Sequence, residues 1–519
     1  MNQAGHLSLN LDDANDRALL ANVHPQEWQN PEPKQAYHLV IIGAGTAGLV
    51  TAAAAAGLGA RVALVERNLM GGDCLNTGCV PSKGLIRSGR AVANVRDAGR
   101  FGVQLDGNVR VDFSAAIERL RSKRAAISPV DSARRFQALG VDVFFGNARF
   151  LDRKNIQVHP FEKPESILEF RKAVIATGAR AAIPNIPGLD QVKFLTNENL
   201  FRLNALPPRL GIIGAGPIGC EMAQTFQQLG SQVYLFEMAG QILPREDSEA
   251  SRLLTERFNR DGIQLATSLD QINVQRTPSG AIQVNGLREQ EAHHSEVDQL
   301  LVSTGRKPNI ENLGLEAAGV ESHPRGVVVN DFLQTTNPRV YAAGDVASPF
   351  QFTHAADFQA RIVVQNALFA VGPLGRKRAG DLIIPAATYT SPEIAHVGLR
   401  EKEAAGAGTD IDVYTQRFDE VDRAILDGEE EGFVKIITRK GTDKILGATI
   451  VANHAGDLIS EIVVAMNHGV GLGAIASSIH PYPTLADAIR RTGDQYNRTR
   501  LSPFNQNVLS LLRKFNVGK

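Results

Sequence analysis

The chain alternates short, nearly unbroken apolar runs with glycine-rich turns. The first clear case is YHLVIIGAGTAGLVTAAAAAGLGARVALVE, from Tyr37 to Glu66. A run without polar alternation is how a strand buried on both faces of a parallel sheet reads, so strand, turn, helix and strand are expected in that order. PRLGIIGAGPIGCEMAQTFQQLGSQVYLFE, Pro208 to Glu237, repeats the pattern with Gly214 standing 171 residues after Gly43. In each copy a Glu closes the unit 23 residues beyond the first glycine. Further strands are expected to run into the T-G turns of AVIATGARAAIPNIPG (Ala173 to Gly188) and LLVSTGRKPNI (Leu300 to Ile310), and through RVYAAGDVAS (Arg339 to Ser348). From about Gly380 to Asn497 the texture changes. Stretches such as GFVKIITR and KILGATIVA predict an antiparallel sheet, with SEIVVAMNHGV (Ser460 to Val470) as a helix covering it.

Both glycine turns read G-x-G-x-x-G directly after a strand: Gly43, Gly45, Gly48 and then Gly214, Gly216, Gly219. The first glycine permits the tight turn, the second lets backbone approach a pyrophosphate, and the third lets helix and strand pack. Glu66 and Glu237 are placed to bind an adenosine ribose 2′-hydroxyl. One such motif also serves plain close packing; two in full strand-turn-helix context predict two dinucleotide-binding units.

Composition narrows the function classes. The 519 residues carry 55 Lys plus Arg against 55 Asp plus Glu, so no basic excess points to nucleic acid or to an acidic membrane. No run is long and apolar enough to span a bilayer, and residues 1–36 lack the basic-then-apolar pattern of a signal peptide. They are expected to form an extension, with Trp28 either anchoring it on the body or lying in a mobile tail. Three cysteines are too few for a secreted disulfide scaffold, and a cytoplasmic location is expected.

The chemistry concentrates in GGDCLNTGCVPSKGLIRSG, Gly71 to Gly89. Cys74 and Cys79 are separated by four residues, and Pro81 suits the first position of a following helix. A thiol at a helix start has its thiolate favoured by the dipole and the free backbone N–H groups. Two inert cysteines or half of a zinc site are the alternatives. Zinc needs further ligands, however, and the third cysteine, Cys220, lies inside the second glycine motif.

Taken together, these segments resemble the FAD-dependent pyridine nucleotide-disulfide oxidoreductases, the class that includes dihydrolipoamide dehydrogenase, glutathione reductase and mercuric reductase. The resemblance runs from about Tyr37 to Asn497. It rests on both glycine motifs with their Glu, GGDCLNTGCVPSK, ATGA (Ala176 to Ala179), STGRKPN (Ser303 to Asn309) and AAGDV (Ala342 to Val346). It implies an α/β fold of two Rossmann-like dinucleotide-binding domains plus a C-terminal α+β dimerisation domain. The expected layout is an FAD-binding domain over 37–190 and 305–375, an NAD(P)-binding domain over 191–304, a dimerisation domain over 376–497 and a tail over 498–519. The resemblance further implies that Cys79 lies against the flavin, that Cys74 meets the substrate, and that Lys83 with its partner Glu221 stands beside the flavin's reactive nitrogen. FAD contacts are expected from Gly43, Gly45, Gly48, Glu66, Gly72, Lys83, Ala148, Thr177, Gly178, Asp345 and His354. Gly214, Gly216, Gly219, Glu237 and Gly305 are expected at the nicotinamide nucleotide. No resident metal site is expected.

Three departures from the family pattern matter. In SSIHPYPTLADAIRR, Ser477 to Arg491, aligning Pro483-Thr484 with the family's His-Pro-Thr segment puts Tyr482 where the catalytic histidine stands and Asp487 where its glutamate stands. His480 lies two residues earlier, on the same side if the segment is extended. A phenol with pKa ≈ 10 is a poor proton shuttle at neutral pH, which favours a metal-ion acceptor over a disulfide and resembles the mercuric reductase branch. That branch brings a C-terminal cysteine pair, yet the tail RTRLSPFNQNVLSLLRKFNVGK has none, and its Val508, Leu509, Leu512 and Phe515 suggest a short amphipathic helix packed on a partner subunit rather than on lipid. Pro217 stands where many relatives place a Tyr over the nicotinamide pocket, leaving Ile218 or open space there. Because Glu237 would repel a 2′-phosphate, NADH is expected over NADPH, with Arg245 the residue most able to reverse that preference.

The expected protein is thus a homodimeric FAD enzyme, with an active site shared across the interface, passing electrons from NAD(P)H through Cys74–Cys79 to a small acceptor or metal ion. The alternatives are a dihydrolipoamide dehydrogenase or glutathione reductase-type enzyme, and a flavin-bearing redox sensor or partner protein without turnover.

Overall fold

The computed structural model describes residues 9–160 and 165–518. Residues 1–8 of the expected extension and Lys519 of the expected tail lie outside them. The chain divides into two compact units. One takes in the chain up to Met238 and again Gly262–Leu382, and the other takes in Ala239–Asp261 and everything from Ile383 on.

In the first unit, helix α1 (Ala14–Val23) precedes a sheet in which Val141–Phe145, Val62–Glu66, Tyr37–Ile42, Ser166–Ile175 and Val340–Ala342 run parallel. Tyr37–Ile42 is buried along nearly its whole length, as its unbroken apolar sequence predicts. Helix α2 (Thr46–Gly57) follows the first glycine turn; a Cβ on Gly48 would stand 1.8 Å from the Gly43 carbonyl oxygen, so only glycine lets helix and strand meet. Helix α3 (Cys79–Asp97) carries the second cysteine at its first position and packs on α4 (Phe113–Ile127). A second parallel sheet, ordered Gln264–Ala266, Gln232–Phe236, Arg209–Ile213, Gln299–Val302, belongs to the second glycine turn and its helix α5 (Pro217–Leu229). A Cβ on Gly219 would stand 1.9 Å from the Gly214 carbonyl, the same close approach repeated. Helix α5 packs against α3, and α6 (Thr353–Val364) against α2.

The extension is fastened rather than loose. Trp28 donates its indole N–H to the Val143 carbonyl (3.1 Å), Asn30 exchanges two hydrogen bonds with the backbone of Phe145, and His24 stacks on the Phe145 ring. Asp13 caps α1 and pairs with Arg121 of α4, while buried Asp16 pairs with buried Arg124 at 2.5 Å.

In the second unit, five strands form an antiparallel sheet ordered Ala386–Thr388, Glu393–Gly398, Ile445–Ala452, Phe433–Arg439, Ile411–Arg417. Helix α7 (Ala455–Asn467) covers it, starting five residues earlier than its apolar periodicity suggests, and α8 (Asp487–Thr499) and α9 (Pro503–Val517) follow. The sequence reading keeps Ala239–Asp261 inside the nucleotide unit of 191–304; the structure groups it with this sheet. The reason is electrostatic: the buried Lys435 ammonium on the sheet gathers Asp247 (3.0 Å), Glu249 (3.3 Å) and Glu401 (2.9 Å), and Glu246 pairs with Arg400. Among the described residues no helix is long and apolar enough to cross a membrane.

Candidate active site

Helix α3 begins at Cys79 itself, two residues before the expected Pro81, because the first turn of a helix has no use for the proline's missing N–H. The Cys79 thiol therefore sits on the helix N-terminus, where the dipole favours its thiolate. Both cysteines are free thiols in this structure. The hydrogen bond from Cys74 is the largest influence on Cys79; together with the Thr353 hydroxyl (Sγ to Oγ1, 3.5 Å) and the Lys83 charge it outweighs desolvation and lowers the Cys79 pKa to about 6. Giving that hydrogen bond, and being desolvated, pushes the Cys74 thiol well above the ordinary thiol range. One sulfur is thus a ready thiolate and its neighbour a proton holder.

Lys83, one turn along α3, reaches across to α5 and pairs with the buried Glu221 carboxylate at 2.9 Å. Behind the cysteines lies a network that sequence reasoning missed. Arg306 pairs with Asp73 beside Cys74 (2.8 Å) and with Asp345 (3.3 Å), and donates to the Ala179 carbonyl. Asp73 also accepts from Asn197 (2.8 Å) and from the Thr77 hydroxyl (2.5 Å). Arg306 sits in STGRKPN and Thr353 next to the expected FAD contact His354, but sequence carries no signal that they converge on the cysteines. His354 itself stacks on Phe352 at 5.3 Å. Desolvation pushes the Asp345 carboxyl upward, opposed mainly by Arg306.

The two closing glutamates make the same gesture. Glu66 accepts the Ala44 N–H at 2.6 Å and the Asn68 N–H at 2.8 Å, and Glu237 accepts the Ala215 N–H at 2.7 Å. Each ties its carboxylate to the glycine turn of its own unit. A Cβ on Gly216 would meet nothing within 4 Å, and one on Gly45 only the Gly72 Cα at 3.7 Å, so both turns keep an open cradle under a helix N-terminus. That is the shape a dinucleotide pyrophosphate requires, and the residues present fit FAD at the Gly43–Gly48 turn and a pyridine nucleotide at the Gly214–Gly219 turn. Thr177 and Gly178 are stitched to Asn309 by side-chain and backbone hydrogen bonds, Gly305 accepts from the Ala182 N–H, and Ala148 lies half-buried on Asn147–Phe150. Ile218 is exposed at the start of α5, next to Pro217.

In the second compact unit His480, Tyr482 and Asp487 each hold different hydrogen-bond partners. His480 and Tyr482 do not point the same way. Both ring nitrogens of His480 are engaged, Nε2 with Glu461 of α7 at 2.9 Å and Nδ1 with the Ser478 carbonyl at 3.0 Å. Its side chain is 9% exposed, whereas Tyr482 is 74% exposed and donates to Asp422 at 2.9 Å. Asp487 is taken by Arg490 (2.9 Å) and Arg491 (2.6 Å), which hold its carboxyl below its usual value against the opposing effect of desolvation.

A pyridine nucleotide-disulphide oxidoreductase profile matches residues 37–360, and that family's dimerisation-domain profile matches 384–492. The chain belongs to the pyridine nucleotide-disulphide oxidoreductases. It is an oxidoreductase of the class I branch of that family, a flavoprotein that uses FAD and a pyridine nucleotide, and its dimerisation domain supports a homodimer. It is 36% identical to a mercuric reductase from Staphylococcus aureus over 458 residues, covering 88% of this chain and 81% of that protein. To a dihydrolipoyl dehydrogenase from Bacillus subtilis it is 32% identical over 454 residues, covering 87% and 96%. Among solved structures of the family, the Cu(II) complex of the HOCl-induced flavoprotein disulfide reductase RclA from Escherichia coli aligns with a TM-score of 0.77 at 27% identity, covering 89% of this chain and 100% of that one. LpdA from Mycobacterium tuberculosis aligns with a TM-score of 0.80 at 27% identity, covering 88% and 99%.

Proposed function

We propose that this oxidoreductase passes electrons from NADH through Cys74 and Cys79 to a thiophilic metal ion, as its mercuric reductase relatives are named for doing. The observation that carries the reading is the side chain at the family's acid-base position: an exposed tyrosine, with the nearby histidine locked on Glu461. A disulfide acceptor needs a group that returns protons to departing thiolates near neutral pH; a metal dication does not. For a two-electron acceptor the balance is NADH plus M²⁺ giving NAD⁺, M⁰ and one proton.

The first glycine turn, Glu66 and Asp345 would hold FAD, which when bound would supply two-electron transfer between nicotinamide and disulfide. Lys83 holds a positive charge, positioned by Glu221, where electron density arrives. Cys79 keeps its sulfur as thiolate, and Cys74 gives up its proton as a soft cation binds. Tyr482, Asp487 and their neighbours act in a homodimer whose active site is shared across the interface, Tyr482 orienting the metal ion held on the partner's cysteine pair. The test is NADH oxidation with Hg²⁺, Cu²⁺, lipoamide and oxidised glutathione on wild type, Tyr482→Phe and His480→Ala. Loss of one hydroxyl contact should slow the metal-dependent rate roughly fivefold to a hundredfold in Tyr482→Phe while flavin reduction by NADH is unchanged. A harmless Tyr482→Phe beside a crippled His480→Ala would make the protein a thiol-disulfide reductase instead.

Cofactor preference follows from Glu237, whose carboxylate is anchored at the end of Gln232–Phe236. NADH should have the higher kcat/KM, and Glu237→Arg should move the ratio toward NADPH by about 2 kcal/mol, roughly thirtyfold. A wild-type enzyme preferring NADPH tenfold would point to Arg245 as the phosphate contact.

A further inference from the structure

The short helix Gly72–Asn76 carries Cys74, and the N-terminal extension reaches both of its ends. Ahead of it, the Val23 carbonyl at the end of α1 accepts the Met70 N–H at 3.1 Å, and His24 Nδ1 bonds the Asn68 carbonyl at 2.5 Å. Behind it, Arg124 donates to the Asn76 carbonyl at 2.9 Å, while Asp16 of α1 holds the same guanidinium. Carbonyls in the last turn of a helix have no partner within it, so a buried cation there both satisfies one and complements the negative helix end. Beneath, the fully buried Leu19 and Val23 of α1 share one apolar cluster with Leu69, Met70 and Leu75. On the other side the same segment is tied to the first glycine turn by the Gly71 N–H, which donates to the Ala44 carbonyl at 2.8 Å. Asp16, Leu19, Val23 and His24 all precede Tyr37, where the dinucleotide-binding sheet begins.

Cys74 sits between these two grips, and the hydrogen bond from its thiol is the largest influence on Cys79. Such a bond weakens steeply as the donor drifts or tilts, so whatever fixes the helix that bears the donor also fixes the state of the acceptor sulfur. We propose that the extension is a positioning element of the redox centre: through Asn68, Met70 and Asn76 it holds the helix Gly72–Asn76 in place and so keeps the Cys74 thiol aimed at the Cys79 sulfur. Asp16, His24 and Arg124 are positioning residues in this arrangement, acting through Cys74. The proposal rests on Cys74 and Cys79 being the redox pair and is independent of which acceptor they reduce.

The test reads the long-wavelength thiolate-to-flavin absorption band of the FAD-loaded dimer after reduction by two electrons. In Asp16→Asn/Arg124→Met, which removes both buried charges together and leaves the Asn76 carbonyl without its guanidinium, the band measured near the Cys79 midpoint of about pH 6 should fall at least about twofold and regain its full height at higher pH. His24→Phe, which keeps a ring on Phe145 and drops the bond to Asn68, should do the same. Resting Cys74→Ala combined with either change should titrate where Cys74→Ala alone does, because the donor through which the extension acts is already gone. Unmoved bands in both variants would overturn the proposal, and so would a shift that persists on the Cys74→Ala background. A wild type without the band at any pH would overturn the cysteine roles themselves and, with them, the proposal.

Discussion

Replacing Cys79 by serine should lower NADH-dependent acceptor turnover by at least about a thousandfold, and Cys74→Ser should do the same, but the two proteins should differ in colour. With Cys79 present as a thiolate against bound FAD, wild type reduced by two electrons should show a long-wavelength absorption band, and so should resting Cys74→Ser; Cys79→Ser should show none. The pH dependence has a definite sign. Because the Cys79 pKa is lowered to about 6, the band should be full above that pH and fade below it. The hydrogen bond from Cys74 is its largest cause, so Cys74→Ala, which cannot donate, should move the midpoint upward, whereas Cys74→Ser should largely preserve it. Like behaviour of the Cys79 and Cys74 serine variants would overturn the roles assigned to the two sulfurs.

The second large effect belongs to the extension. Arg124 donates to the Asn76 carbonyl in the cysteine loop (2.9 Å) and to Asp16 of α1, and both charged side chains are under a tenth exposed. Arg124→Met leaves the Asp16 carboxylate buried without its cation, a loss of about 3–5 kcal/mol. Amide protection across α1 should fall by at least about a hundredfold in hydrogen exchange. Asp16→Asn/Arg124→Met removes both charges and should recover most of it. Unchanged protection in the single variant would mean that the ion pair does not hold α1.

How much of this was legible in the sequence depends on the range of the interaction. The strand-turn-helix units around Gly43 and Gly214 were readable because buried parallel strands and helix-strand contacts through glycine are local patterns. Glu66 and Glu237 were readable through their spacing from the glycine turns, and the parts expected of Cys79, Lys83 and Glu221 came from the resemblance to the family. Arg306 and Thr353 were not, since their partners Asp73 and Cys79 lie more than two hundred residues away in sequence. The regrouping of Ala239–Asp261 was hidden for the same reason: Asp247 meets Lys435 only in three dimensions. The direction of His480 was not legible, because the i, i+2 rule holds in a regular strand; residues 478–484 form no strand, and the ring turns to Glu461.

Glu66 and Glu237 hold the N–H groups of Ala44 and Ala215 by hydrogen bonds internal to the chain. A glycine-rich turn left to itself would have to be ordered when its ligand arrived, and that entropy would weaken affinity. Here the two carboxylates restrain both turns from within the chain, so a nucleotide meeting either turn has chiefly its own torsions to lose.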